Sequence, residues 1–155
     1  MTLTGSAQAG DITAVIQGST LVITGGSAIE NVGVFFNRRS NGSLWVRVSN
    51  STGRVNANGS TGGGAQNFEL AGIRTIRVSL GASRDSLSFL HADRFLKNWN
   101  GDLSLDFGDT PPTGARESLV IRGPLQLRNI VVRGNHAQRN DTIDGNVTYA
   151  SFRKL

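Results

Sequence analysis

One unit recurs along this chain: a short aliphatic strand, a glycine, a polar loop, then an acid two residues before an aliphatic. It runs Leu21-Val-Ile-Thr-Gly25 then Glu30-Asn-Val32, and Ile76-Arg-Val-Ser-Leu-Gly81 then Asp85-Ser-Leu87. It returns as Leu103-Ser-Leu-Asp-Phe-Gly108 then Glu117-Ser-Leu119, and as Ile130-Val-Val-Arg-Gly134 then Asp141-Thr-Ile143. A strand-turn unit of this size cannot bury its apolar side alone. Its copies must lie against one another.

The segments between turns alternate with period two, apolar residues holding one parity: Ile12, Ala14, Ile16; Val32, Val34, Phe36; Leu44, Val46, Val48; Ile76, Val78, Leu80. This is strand patterning with one face buried. Asn41-Gly42, Asn58-Gly59, Asn100-Gly101 and Asp144-Gly145 supply turn residues suited to positive φ. Helical spacing is found only at 90–99, where Leu90, Phe95, Leu96 and Trp99 share one helical face, so a short helix or irregular loop is expected there.

Turn-separated strands fit an antiparallel β-sandwich as well as a stack. The near copies Leu21–Gly25, Leu119–Gly123 and Ile130–Gly134 favour the stack, as does the return of Asp85, Glu117 and Asp141 at intervals of 32 and 24 residues. The expectation is an all-β single domain over 1–155: a right-handed parallel β-helix (β-solenoid) with the aliphatic parity inside. Pro111-Pro112-Thr-Gly114 would be a loop insertion, and 1–10 and 147–155 would act as caps or as junctions to adjacent domains.

Strand, glycine, loop, then Asp-x-aliphatic resembles the repeats of bacterial secreted and cell-surface β-solenoids, in the style of the RTX (haemolysin-type) calcium-binding arrays. That resemblance implies an extracellular or cell-surface structural module, part of a larger chain, with Glu30, Asp85, Glu117 and Asp141 as turn acids or calcium ligands. The match is one of style, because Gly81-Ala-Ser-Arg-Asp85 keeps one of the three glycines of the G-G-x-G-x-D repeat. Arg84, Arg116 and Arg139 lie beside three of the acids. They suggest ion pairing, since a guanidinium does not belong in a calcium shell.

Composition narrows function by exclusion. The chain has no cysteine, so it has neither disulfides nor a thiolate metal site. No apolar run reaches membrane-span length, and Met1 to Gly10 lacks the features of a signal peptide. The formal charge is +5, but the arginines are dispersed and not interleaved with aromatics, so no nucleic-acid partner is expected. His91 and His136 alone do not make a zinc site, Gly62-Gly63-Gly64 lacks the Lys-Ser/Thr of a phosphate loop, and no G-x-S-x-G elbow is present.

Three functions stay open. The first is a non-catalytic structural or adhesive module. The second is a carbohydrate-binding or polysaccharide-active protein, with Trp45, Arg122, Arg128 and Arg133 as the polymer-binding surface. The third is a calcium-dependent folding module. Polysaccharide-cleaving β-helices resemble this chain in carrying acids and arginines on one outer face. Asp102, Asp106 and Asp109 with the same three arginines would be the counterpart here, but the chain is short for a catalytic groove and no catalytic residue is assigned.

Overall fold

Alternating inward aliphatics and glycine-rich turns cut the chain into short strands. The structure, a computed structural model, describes residues 10–57, 62–81, 83–91, 99–108, 117–134 and 139–155. Its strands are β1 (Ile12–Gln17), β2 (Thr20–Thr24), β3 (Asn31–Arg38), β4 (Leu44–Asn50), β5 (Val55–Ala57), β6 (Ala65–Glu69) and β7 (Thr75–Ser79). They continue with β8 (Ser86–His91), β9 (Gly101–Asp106), β10 (Glu117–Ile121), β11 (Leu125–Arg133), β12 (Arg139–Ile143) and β13 (Val147–Lys154). No helix occurs among the described residues; the helix expected near 90–99 falls mostly on 92–98, outside them.

Sheet A has the order β13-β11-β9-β7-β2-β1-β5, and sheet B the order β12-β10-β8-β3-β4-β6. From β7 onward the chain passes from one sheet to the other with each strand, and neighbouring passes pair in parallel. The first third differs: β1 with β2, β3 with β4, and β4 with β6 are antiparallel. The inward residues of both sheets form one continuous core, with Phe36, Phe89 and Phe107 among its largest fully buried side chains. Burying such a ring is worth about 1.5–3 kcal/mol, so sheet-to-sheet contact is the main stabilising term.

This corrects the expectation of a parallel β-helix. Among the described residues both sheets are open, each ends in edge strands, and both are of mixed direction. The two sheets pack as a sandwich, which is nearer to the alternative reading, although the pairing is mixed and not antiparallel throughout. The physical reason is that period-two alternation reports which side of a strand is buried, while closure and strand direction leave no mark in it. The opening strands of all four repeat units do lie side by side in sheet A, where Leu21 aligns with Ile76, Ile76 with Leu103, and Leu103 with Ile130. The remaining near copy, Leu119–Gly123, begins in sheet B. Likeness of sequence therefore did not mean membership of one column.

The repeated glycine has a steric cause. Where the chain leaves sheet A, successive passes approach backbone to backbone. A Cβ on Gly81 would lie 1.8 Å from the Gly26 carbonyl oxygen, and one on Gly134 would lie 2.1 Å from that of Gly108. Gly134 also has φ of 85°, which a side chain resists.

Candidate functional site

Three of the four recurring acids come together. Asn31 aligns with Ser86 and Ser86 with Ser118, so the preceding residues Glu30, Asp85 and Glu117 enter sheet B at the same level. All three are buried at the corner between the sheets, at 0 %, 1 % and 0 % exposure. The fourth place in this column belongs to Arg139, which aligns with Glu117. Asp141 sits two residues further along β12, where Arg139 Nε donates to its Oδ1 at 2.6 Å and Lys154 Nζ lies 3.1 Å from its Oδ2. The four acids that the repeat resemblance treats alike are therefore placed differently: three share one column, and a guanidinium holds its fourth place. Among the described residues no group of three or more His, Asp or Glu is placed to hold a metal ion.

The column brings buried carboxyls together. Asp85 Oδ1 accepts the Glu30 backbone N–H at 3.0 Å, and Glu30 Oε1 accepts that of Gly26 at 2.9 Å. Asp85 Oδ2 and Glu30 Oε2 are buried without a hydrogen-bond partner among the described residues. Burial first, and the neighbouring Glu30 and Glu117 carboxyls after it, push the Asp85 carboxyl up to about 8. At neutral pH Asp85 is therefore protonated. The neutral form avoids the repulsion that an ionised Asp85 would meet beside the Glu30 and Glu117 carboxyls. Gly25 makes room for the Glu30 side chain, since a Cβ there would sit 3.0 Å from the Glu30 carboxyl carbon. Asp141, by contrast, is held below the usual carboxylate range: burial works to raise it, and the hydrogen bonds and charges of Arg139 and Lys154 overcome that.

Arg84, expected to neutralise Asp85, is exposed, whereas Asp85 is buried. Adjacent residues in an extended chain face opposite sides, whereas residues two apart, such as Arg139 and Asp141, share one. Arg116 lies outside the described residues.

The expected polymer-binding residues divide between two outer faces. Trp45 and Arg122 belong to sheet B, and Arg128 and Arg133 to β11 of sheet A. Trp45 is not an open platform. The Arg39 guanidinium lies 3.6 Å over its ring centre, and its Nε1–H donates to Ser43 Oγ at 3.0 Å. Trp99 is a core residue, buried against Phe36 with its Nε1–H donated to the Ile73 carbonyl at 2.8 Å. Arg128 grips Asp102 in a forked pair, its Nε donating to Oδ1 at 3.0 Å and its Nη2 to Oδ2. Asp109 and His136 lie outside the described residues, and His91 ends β8.

Sequence reasoning missed Phe35 and Arg47. They align across β3 and β4 on the outer face of sheet B and, with Asn37 and Ser49, line a concavity of about 410 Å³. The row extends: Phe35 aligns with Leu90, and Arg122 follows Ile121, which aligns with Phe89. Arg47, Phe35, Leu90 and Arg122 thus cross four strands, a span of about 14 Å at the usual strand spacing. The signal was present in the sequence as Phe35, the large apolar residue on the outward parity of β3.

No protein-family model, no curated protein and no solved structure matches this chain.

Proposed function

We propose that this chain is a non-catalytic carbohydrate-binding module, acting through the outer face of sheet B. The observation that carries this reading is the row Arg47, Phe35, Leu90 and Arg122: an apolar centre, half-buried on a solvent face, flanked by two guanidiniums. Phe35 stands on the outward side of a sheet whose other side already forms the core, with its ring lying beside Gly33. A pyranose ring presents apolar C–H patches to an aromatic face and hydroxyls to donors and acceptors around it, and Asn37, Ser49 and Arg47 supply these. The open, shallow shape suits an extended polymer that lies across the strands. Adhesion follows from the same surface.

Retention in gels containing soluble polysaccharides tests this. The wild type should be retarded, and Phe35→Ala should weaken retention by roughly tenfold or more while circular dichroism and melting stay unchanged. Equal retention of Phe35→Ala and wild type, or no retention by any neutral or acidic polymer, overturns the reading.

A further inference from the structure

The opposite face of the molecule carries a second hollow, of about 350 Å³, lined by Arg77, Val78, Ser79, Ser104, Asp106 and Arg133. Strand register assembles it. Arg77 on β7 aligns with Ser104 on β9, Ser79 with Asp106, and Asp106 with Arg133 on β11. The two arginines stand on strands either side of β9, about 10 Å apart between strand axes, with the serines and the carboxylate between them.

These two arginines share one hollow, and among the described residues neither side chain is held by an ion pair. On the same face Arg128 is neutralised by Asp102, which also accepts the Asn129 backbone N–H at 3.2 Å and its Nδ2 at 2.9 Å. Arg139 is consumed by Asp141. Among the described residues neither Arg77 nor Arg133 has an ion-pair partner, although Asp106 stands beside Arg133 in register. Asp106 instead accepts the Gly108 backbone N–H at 2.9 Å. Two guanidiniums and one carboxylate share the hollow, which leaves it net positive, an arrangement that an anion relieves.

We propose that this hollow binds an acidic sugar of a polysaccharide. The sugar carboxylate lies between Arg77 and Arg133, a ring hydroxyl donates to Asp106, and the Ser79 and Ser104 hydroxyls meet the remaining ring oxygens. Asp106 selects against a bare anion, because its carboxylate needs a donor that a uronic acid has and a sulfate or phosphodiester oxygen lacks. The outward positions of β7, β9 and β11 hold no aromatic, so a nucleic acid would find no stacking partner here. This site rests on the carbohydrate-binding reading above but uses the opposite sheet.

The test compares polygalacturonate with its fully methyl-esterified form, which keeps the backbone and blocks the charge. The wild type should bind the acid form roughly tenfold or more tightly than the ester, with the preference shrinking in high salt. The double variant Arg77→Ala/Arg133→Ala should lose that preference and keep its melting temperature. Arg128→Ala/Arg153→Ala, which removes the same formal charge from the same sheet, should keep the preference. Equal binding of acid and ester by the wild type, or a preference that survives Arg77→Ala/Arg133→Ala or disappears equally in Arg128→Ala/Arg153→Ala, overturns the site. If it falls while Phe35→Ala still weakens retention, the sheet B reading stands. If neither polymer binds and neutral polysaccharides are not retained, both fall.

Discussion

Asp85 and Asp141 face the same interior from sheet B, two strands apart, and are driven in opposite directions. Asp85 is buried among carboxyls and is pushed up to about 8. Asp141 is nearly as hidden, with 10 % of its side chain exposed, yet is held low because Arg139 and Lys154 converge on it. Burial alone penalises both. The cation decides which of them stays ionised. The positions also make sense: Asp85 lies between paired strands, and the ionised Asp141 lies with Arg139 and Lys154 on edge strands β12 and β13. Inward-pointing charge at a free edge discourages another chain from pairing there.

The strongest way to break this comparison is to remove its cation. The Arg139 side chain is fully buried, it pairs with Asp141, and its Nη1 donates to the Gly134 carbonyl. Arg139→Ala leaves Asp141 with Lys154 alone and takes the terminating charge from the acid column. Losing one member of a buried pair costs about 3–5 kcal/mol. The loss should appear as a lower urea midpoint, with partial recovery in Arg139→Lys. A loss within about 1 kcal/mol would mean that water, and not the guanidinium, sustains Asp141.

The next effect sharpens the comparison through pH. The folded-state value of Asp85 is above the ordinary 3.8, so the folded protein binds a proton that the unfolded chain releases. Its stabilising contribution is complete below about pH 4 and disappears as pH rises through about 8. Asp141 and Asp102 are shifted down, so their contributions are present above the ordinary value and fade as pH falls below it. The stability maximum should therefore fall near pH 4–5, with melting at pH 8.5 lower by roughly 5 °C or more. Asp85→Asn keeps an acceptor for the Glu30 N–H and needs no proton. It should melt above the wild type at pH 8.5 and flatten the curve between pH 5 and 8.5. A wild-type melting temperature that rises from pH 5 to 8.5 would contradict a protonated Asp85 in the folded state.

The sequence showed much of the interior and little of what joins it. An acid two residues before an inward aliphatic is itself inward, so the pattern Asp85-x-Leu87 already placed the carboxyl inside. The same rule puts Arg139, Asp141 and Ile143 on one side of β12, but not which of them meets Glu117. That is a matter of register, which depends on turn lengths and on the neighbouring strand. Sheet closure was illegible for a related reason: residues facing a core alternate alike whether the sheet curls round or lies open. The outer rows were harder still. Arg47, Phe35, Leu90 and Arg122 come from four neighbouring segments separated by as many as 87 residues (122 − 35), and only pairing makes them neighbours.

Asp102 supplies the third case, and with it the smallest expected effect. It is held low first by its hydrogen bond with Arg128, with help from Asn129. In chemistry this matches the pair of Asp141 and Arg139, but the Arg128 side chain is 54 % exposed where that of Arg139 is buried. Water and salt screen an exposed pair, and truncation leaves Asp102 solvated and still bonded to Asn129 through both a backbone and a side-chain N–H. Arg128→Ala should leave the urea midpoint unchanged within error at physiological salt, with a small decrease only at low ionic strength. If it costs as much as Arg139→Ala, then the forked geometry and not burial sets the value of a guanidinium–carboxylate pair in this protein. The contrast between Asp85 and Asp141 would then have to be attributed to hydrogen bonding rather than to a buried cation.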